Sequence, residues 1–149
     1  MIDLPDEAAS AALGREIASV LRLGDVVALS GGLGAGKTTL ARAIIAALGH
    51  AGEVPSPSFA IIEVYDPPAL RLPLVHADFY RLDDPAEAQQ LGLDDYREGA
   101  ALIAEWPENA GGFAHEPGCL SIRLEGADSG RIAIVEPGKD WLERQPWKP

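Results

Sequence analysis

The sequence predicts a single α/β domain, and three stretches of its first half carry that prediction. Apolar residues recur at helical spacing over about 7–22, and Gly24 follows as a stop signal. The short apolar run at 25–31 is typical of a buried parallel strand. A second helical pattern begins at Lys37 and ends before Gly49. A helix, a strand and a helix in this order indicate an α/β unit, and 149 residues are enough for one domain with its own core.

The rest of the chain predicts further strands and short helices. An apolar run at 100–108 contains an acid near its end, and Asp84 with the proline after it predicts a helix start. A short helix is predicted around Trp141. Runs of β-favouring residues on either side of turn residues predict two hairpins: 54–66 with 70–80, and 118–126 with 130–138.

The composition limits the classes of function. Twelve basic residues face 23 acidic ones, so the net charge is −11. Because nucleic-acid binding depends mainly on Lys and Arg at the phosphates, we expect no strong direct binding of RNA or DNA. No apolar stretch approaches the roughly 20 residues of a membrane span. The acidic N-terminus lacks the features of a secretion leader, and Cys119 is the one cysteine of the sequence. These observations predict a cytoplasmic protein.

The most informative motif is the glycine-rich stretch at 31–38, which fits G-x-x-x-x-G-K-[ST] at every fixed position. Glycines allow backbone N–H groups to turn towards phosphate oxygens, and the following helix directs its positive end at them. The ammonium of Lys37 should reach the β and γ oxygens and act in catalysis, while the Thr38 hydroxyl should bind Mg²⁺. The predicted nucleotide contacts are Leu33, Gly34, Ala35, Gly36, Lys37, Thr38 and Thr39.

Two acids at predicted strand ends could complete such a site. Glu105 follows four small or apolar residues, and Asp78 ends a similar run. Parallel strands beside the strand at 25–31 would bring these carboxylates to the crevice at the carboxyl ends of the strands. Each alone could equally be a solvated acid. Next to a phosphate loop, we expect at least one of them to serve the metal or the attacking water.

Five further residues have two interpretations each. His76 could be a base, but packing within its strand is the favoured interpretation. Trp106 and Tyr80 follow the two acids closely and either stack at the site or belong to the core. Ser56 and Ser58 lie in a proline-stiffened loop where phosphate-loop proteins often sense the γ-phosphate, although a plain rigid turn explains this loop as well.

The order of four motifs resembles one family, TsaE, the small bacterial ATPases of tRNA threonylcarbamoyladenosine biosynthesis. The motifs are "GGLGAGKTT" at 31–39, "SPS" at 56–58, "HADFYR" at 76–81 and "EWP" at 105–107. The loop alone is generic, whereas its combination with the last two motifs is specific. The resemblance covers about 4–107 and implies a P-loop NTPase-like three-layer fold with a mixed, mainly parallel central sheet and a β-hairpin addition.

The resemblance also implies an activity, partners and site residues. It implies slow, Mg²⁺-dependent ATP hydrolysis that supports turnover of the TsaB–TsaD complex, which modifies the adenosine beside the anticodon in tRNAs reading codons that begin with A. The tRNA would be reached only through that complex. Thr38 and Glu105 match the family's magnesium positions, Lys37 an ATP-binding position, Asp78 the catalytic aspartate, and Glu7 a position near the nucleotide.

The sequence departs from the family pattern at two positions. Gly32 stands where the family usually has an acid, and Ser58 stands where it has threonine. The first change removes a charge beside the predicted phosphates. The second keeps the hydroxyl and loses a methyl group. Neither removes a group that the implied mechanism needs.

Two other classes of function share the loop. A small-molecule or nucleotide kinase usually carries arginines that clamp the transferring phosphate, and the arginines of this chain do not cluster. A nucleotide-gated binding module with little hydrolysis would act by changing shape. Separate measurement of ADP and free phosphate distinguishes the kinase, and a dependence of partner affinity on the nucleotide state tests the binding module.

Overall fold

The structure, a computed structural model, describes residues 1–32, 34–51, 62–126 and 130–147. Its strands and helices in chain order are β1 (Ile2–Leu4), α1 (Glu7–Val20), β2 (Val26–Gly31), α2 (Lys37–Ala47), β3 (Ile62–Tyr65), β4 (Leu74–Asp78), α3 (Ala86–Gln90), α4 (Leu93–Arg97), β5 (Ala101–Glu105), β6 (Cys119–Gly126) and β7 (Arg131–Pro137), with 3₁₀ helices at Pro107–Ala110 and Lys139–Trp141. None of the helices within these ranges combines the length and the hydropathy needed to cross a lipid bilayer.

A single sheet contains the seven strands of the described chain in the order β1-β7-β6-β2-β5-β4-β3. The four strands β6, β2, β5 and β4 are parallel to one another. β3 and β7 run antiparallel to their neighbours, and β1 is antiparallel to β7, so β1 has the direction of the central four. Five of these seven strands therefore share one direction, which confirms the prediction of a mixed, mainly parallel sheet.

Helices cover both faces of the sheet. Alternate residues of β2 point to opposite faces, as the two-residue period of a strand requires. Val27 and Leu29 belong to one buried cluster, and Val26 and Ala28 belong to another. The first cluster includes Leu13, Ile17, Leu40 and Ile44 of α1 and α2, and the second includes Ala88 and Leu93 of α3 and α4. The three-layer arrangement is confirmed.

The helix α1 packs closely on α2. The Asp6 carboxylate caps α1 by accepting a hydrogen bond from the Ala9 N–H at 2.9 Å. At Gly14 a Cβ atom would lie 2.6 Å from the Cβ of Ala43, so no larger residue fits between the two helices. The absence of a side chain at Gly14 therefore sets the distance between α1 and the helix that follows the glycine-rich loop.

The segment after β7 packs against the start of β2. Trp141 is fully buried and donates its indole N–H to the Gly118 carbonyl at 2.8 Å. Arg144 forms a two-bonded ion pair with Asp25, with distances of 2.8 and 3.0 Å. These contacts attach the C-terminal segment to the amino end of the central strand.

Most predicted elements are present, with differences at their boundaries. The predicted helix at 7–22 ends at Val20, and the described part of the first hairpin pairs β3 with β4 antiparallel. The prediction that Asp84 is the cap of α3 is wrong by one residue, because Pro85 occupies that position, although the Asp84 carboxylate accepts a bond from the Ala86 N–H at 2.9 Å. Three elements were not predicted from the sequence: β1, α4 and the 3₁₀ helix after β5.

Candidate functional site

Two glycines, at the end of β2 and immediately before α2, have backbone conformations that leave no room for a side chain. Gly31 has φ 133°, and a Cβ atom there would collide with the Leu124 carbonyl oxygen of β6. Gly36 has φ 97° and precedes the first residue of α2, and a Cβ atom there would lie 2.9 Å from the Arg131 side chain. Only glycine fits such backbone angles and distances without strain. The described loop residues Gly34, Ala35 and Gly36 therefore present their backbone to the space in front of the α2 amino end.

The side chain of Lys37 folds back over this loop. Its Nζ donates hydrogen bonds to the carbonyls of Gly31 at 2.9 Å and Gly32 at 2.7 Å. The same Nζ lies 4.5 Å from the centre of the Trp106 ring. Burial lowers the pKa of Lys37, while the negative charges of Glu105 and Asp78 act in the opposite direction. The ammonium therefore lies against the loop, where its hydrogen-bond acceptors are two neutral backbone carbonyls.

Thr38, Glu105 and His76 form a hydrogen-bonded chain behind the loop. The Thr38 hydroxyl donates to Oε1 of Glu105 at 2.8 Å. Oε2 of the same carboxylate lies 2.6 Å from Nε2 of His76. The parallel pairing of β2 with β5 sets Leu29 opposite Glu105, which delivers the carboxylate to the carboxyl ends of the strands as predicted.

Asp78 lies on the next strand, opposite Glu105 in the β4–β5 register. Its Oδ1 accepts a hydrogen bond from the Tyr80 N–H at 3.0 Å. Burial raises the pKa of Asp78, and the charge of Glu105 raises it further, against the opposing effects of the Tyr80 N–H, His76 and Lys37. Two carboxylates with different environments thus lie side by side at the loop.

These groups surround a cavity of about 340 Å³. It is lined by Gly34, Ala35, Gly36, Lys37, Thr38, Thr39, Asp78, Tyr80, Glu105, Trp106 and Arg131. A threonine hydroxyl and a carboxylate are hard oxygen donors of the kind that Mg²⁺ takes together with phosphate oxygens. Among the described residues, no group of three or more His, Cys, Asp or Glu side chains could hold a metal by itself. Thr38 and Glu105 therefore fit a magnesium ion that nucleotide phosphates share.

The structure brings together most of the residues predicted from the sequence, but not all of them. Glu7 is the exposed first residue of α1 and is not part of the described cavity lining, so its contact with a nucleotide stays a prediction. Leu33, Ser56 and Ser58 lie outside the described residues. A Cβ atom at Gly32 would meet nothing within 4 Å among the described atoms, so the space there does not require glycine.

The two aromatic residues near the acids belong to the site, and Trp106 also packs against one of the two buried clusters, as the alternative interpretation predicts. The rings of Tyr80 and Trp106 lie 5.0 Å apart, and both residues line the cavity. Trp106 has φ 56°, a left-handed conformation that is uncommon for a residue other than glycine. His76, by contrast, is fully buried, which confirms the packed-histidine interpretation.

Arg131 lines the cavity and was not predicted from the sequence as a site residue. It is the first residue of β7, and its Nη2 donates to the Gly34 carbonyl at 2.8 Å. A second cavity, of about 610 Å³, lies between the loop and the β6–β7 hairpin, and Arg131, Gly34 and Ala35 line both cavities. The motif gives no signal for this contact, because it joins residues 97 positions apart.

Comparisons with known proteins agree with this geometry. A family model described as threonylcarbamoyl adenosine biosynthesis protein TsaE matches residues 4–133. The TsaE protein of Haemophilus influenzae is 34% identical over 147 residues, covering 92% of this chain and 91% of the relative. That of Streptomyces coelicolor is 46% identical over 97 residues, covering 64% and 66%.

A solved structure agrees as well. The crystal structure of Bacillus subtilis YdiB superposes with a TM-score of 0.66 and 29% sequence identity, covering 93% of this chain and 85% of that one. The motif order, the fold and the relatives lead to the same assignment: this chain belongs to the TsaE family of threonylcarbamoyl adenosine biosynthesis proteins.

Proposed function

We propose that this protein binds ATP with Mg²⁺ and hydrolyses it in support of the TsaB–TsaD complex during formation of threonylcarbamoyladenosine in tRNA. The observation that carries the proposal is the hydrogen bond of 2.8 Å between the Thr38 hydroxyl and the Glu105 carboxylate. It joins the first turn of the loop helix to a strand-end acid, which is the pair of oxygen ligands that phosphate-loop ATPases use for magnesium.

The residues around the cavity would have separate roles in binding the nucleotide and its metal. The backbone from Gly34 to Thr38 would hold the phosphates at the amino end of α2. Lys37 would leave its two carbonyl partners and bind the β and γ oxygens, because a phosphate anion attracts an ammonium more strongly than neutral carbonyls do. Mg²⁺ held by Thr38 and Glu105 would neutralise charge on the transferring phosphoryl group.

Asp78 is the proposed partner of the attacking water. It lies on the cavity wall beside Glu105, and its raised pKa brings it closer to the range in which a carboxylate accepts a proton effectively. Lys37 and Trp106 face the same space. We therefore assign Asp78 to orientation and deprotonation of water, and Lys37 to stabilisation of the transferring group.

The charge of the chain supports a role beside tRNA rather than on it. With a net charge of −11, the protein would be repelled by RNA phosphates at long range. The proposed partners would hold the tRNA themselves, and the ATPase would act on them in the cytoplasm.

The test is ATP turnover by the full chain, with ADP and free phosphate measured separately. It is run with the protein alone, then with the TsaB–TsaD complex, and then with tRNA added. We expect equal amounts of ADP and phosphate, and a rate that responds to the complex. A Lys37→Ala variant controls for contaminating ATPases. ADP without matching phosphate would contradict the proposal and favour a kinase, and turnover indifferent to the complex would contradict the partnership.

A further inference from the structure

The buried histidine behind the site makes a contact that its position does not require. His76 is fully buried in the middle of β4, between Val75 and Ala77, which are also buried. Its Nδ1 has no hydrogen-bond partner among the described residues. A buried polar atom without a partner is unfavourable, and an apolar side chain would avoid it. The stability of the strand therefore does not explain a histidine at this position.

What the imidazole does contribute is one short hydrogen bond to Glu105. Nε2 of His76 lies 2.6 Å from Oε2, and Oε1 accepts from Thr38 at 2.8 Å. With a separate partner on each oxygen, the carboxylate has a defined plane. The side chain of Glu105 is 2% exposed, and His76 is the partner that the described residues give to Oε2.

Lys37 is the group that would compete with Thr38 for the Glu105 carboxylate if the bond from His76 were lost. Its ammonium is attracted by the charge of Glu105, yet its hydrogen bonds in the structure go to Gly31 and Gly32. Without the bond from His76, Glu105 could rotate towards Lys37 and away from Thr38. The carboxylate would then be lost as a metal ligand, and the lysine would be less available to phosphates.

We infer that His76 is a positioning residue for magnesium: it fixes the orientation of Glu105 so that Oε1 stays beside the Thr38 hydroxyl. The inference rests on the proposed function, since it concerns the metal that this function uses. Groups that orient metal ligands from behind are a general feature of metal sites, and their loss costs about 10- to 100-fold in metal affinity or activity.

The experiment compares two amide substitutions that differ only in reach. The amide nitrogen of His76→Gln can occupy the place of Nε2, whereas the shorter side chain of His76→Asn cannot reach Glu105. We expect His76→Asn to raise the Mg²⁺ concentration for half-maximal ATP turnover by about 10- to 100-fold. His76→Gln should stay close to the unsubstituted protein. Both should keep their affinity for a fluorescent ATP analogue in EDTA.

A matched control removes the effect of general destabilisation. Leu74 is fully buried, two residues earlier on the same strand and face, and opposite Ala101 rather than Glu105. Leu74→Ala should lower the melting temperature without changing the Mg²⁺ requirement. Equal Mg²⁺ requirements in the glutamine and asparagine variants would overturn the inference, as would a shift of that requirement in Leu74→Ala. If the unsubstituted protein hydrolyses ATP without Mg²⁺, or fails to bind the analogue, the proposed function itself is wrong.

Discussion

Buried charged groups lie at both ends of β2, and their partners differ. At the amino end, Arg144 donates to Val20 O at 2.7 Å, to Asp140 O at 2.9 Å and to both oxygens of Asp25. Asp25 also accepts from the Arg22 N–H at 2.7 Å. Every one of these hydrogen bonds has a charged donor or acceptor, and bonds of this kind are stronger than those between neutral groups.

At the carboxyl end of β2 the charges are only partly compensated. Burial lowers the pKa of Lys37 and raises that of Asp78, so the structure disfavours the charged form of each. The imidazole of His76 has a nitrogen without a partner in the described chain. Shifted pKa values and unmet hydrogen bonds are typical of functional sites. The comparison indicates that one end of the strand is organised for stability and the other for binding a ligand.

The first prediction concerns the ion pair between Arg144 and Asp25 at the amino end of β2. Arg144→Met leaves the buried carboxylate of Asp25 without its partner, which costs about 3–5 kcal/mol of unfolding free energy. For a chain of this size the melting temperature should fall by about 6–20 °C. Calorimetry measures it, and nucleotide affinity below the transition should be unchanged. The double variant Arg144→Met/Asp25→Asn should recover part of the loss. No recovery would show that the other contacts of Arg144, with the Trp141 ring and with the carbonyls of Val20 and Asp140, carry the effect.

The second prediction concerns the opposite end. Glu105→Gln keeps groups that can bond Thr38 and His76 but removes the proposed anionic metal ligand, so Mg²⁺-dependent turnover should fall about 100-fold. The melting temperature should change much less than in Arg144→Met. Steady-state phosphate release and calorimetry test both statements. Glu116→Gln, which alters a carboxylate paired with Arg97 away from the cavity, is the control; an equal loss of turnover there would contradict the assignment.

The third prediction tests whether the contact of Arg131 with the loop contributes to nucleotide binding at the carboxyl end of β2. Arg131→Met removes the hydrogen bond to the Gly34 carbonyl. Such a bond contributes about 0.5–1.5 kcal/mol of net free energy, which here stabilises the ordered loop. Affinity for the ATP analogue should fall by about 2- to 12-fold. Arg123→Met removes the same charge from the same hairpin, at a side chain that pairs with Glu125. If both variants bind equally weakly, the charge of the hairpin matters and the loop contact does not.

The smallest effect is a pH dependence of stability. The pKa of Asp78 is raised in the folded protein, so the stability linked to its proton is present below the ordinary value of 3.8 and is lost as the pH rises through the folded pKa. Asp78→Asn lacks this loss and keeps an acceptor for the Tyr80 N–H. The unfolding free energy of the variant, relative to the unsubstituted protein, should therefore increase from acidic to neutral pH. Urea titrations at several pH values measure it, and parallel profiles would contradict it.

The part of the site that the sequence predicts is the part built from adjacent residues. The fixed positions of the loop lie within eight residues, so the motif alone is enough to predict how these residues lie relative to one another. Glu105 and Asp78 could be found because an acid after an apolar run marks the end of a buried strand, and parallel strands end at the same edge. The fold class followed from the same alternation of strands and helices.

The contacts that the sequence does not predict join residues that are far apart along the chain. Arg131 reaches Gly34 across 97 positions, and Arg144 reaches Asp25 across 119. Nothing in the local pattern distinguishes these two arginines from the others in the chain. The packing of His76 was predictable from its apolar strand, but its bond to Glu105 requires the β4–β5 register.

The left-handed backbone of Trp106 has a consequence for protein engineering. A residue other than glycine at φ 56° costs about 1–3 kcal/mol, so a design procedure that scores only backbone conformation would replace it with glycine or asparagine. The redesigned protein would have a relaxed backbone at this position, yet it would lose the ring that packs on the buried cluster and lies over Lys37 and beside Tyr80. Screens for stabilised variants of this chain should therefore keep position 106 fixed, because at this residue relief of the backbone and loss of the site would be the same event.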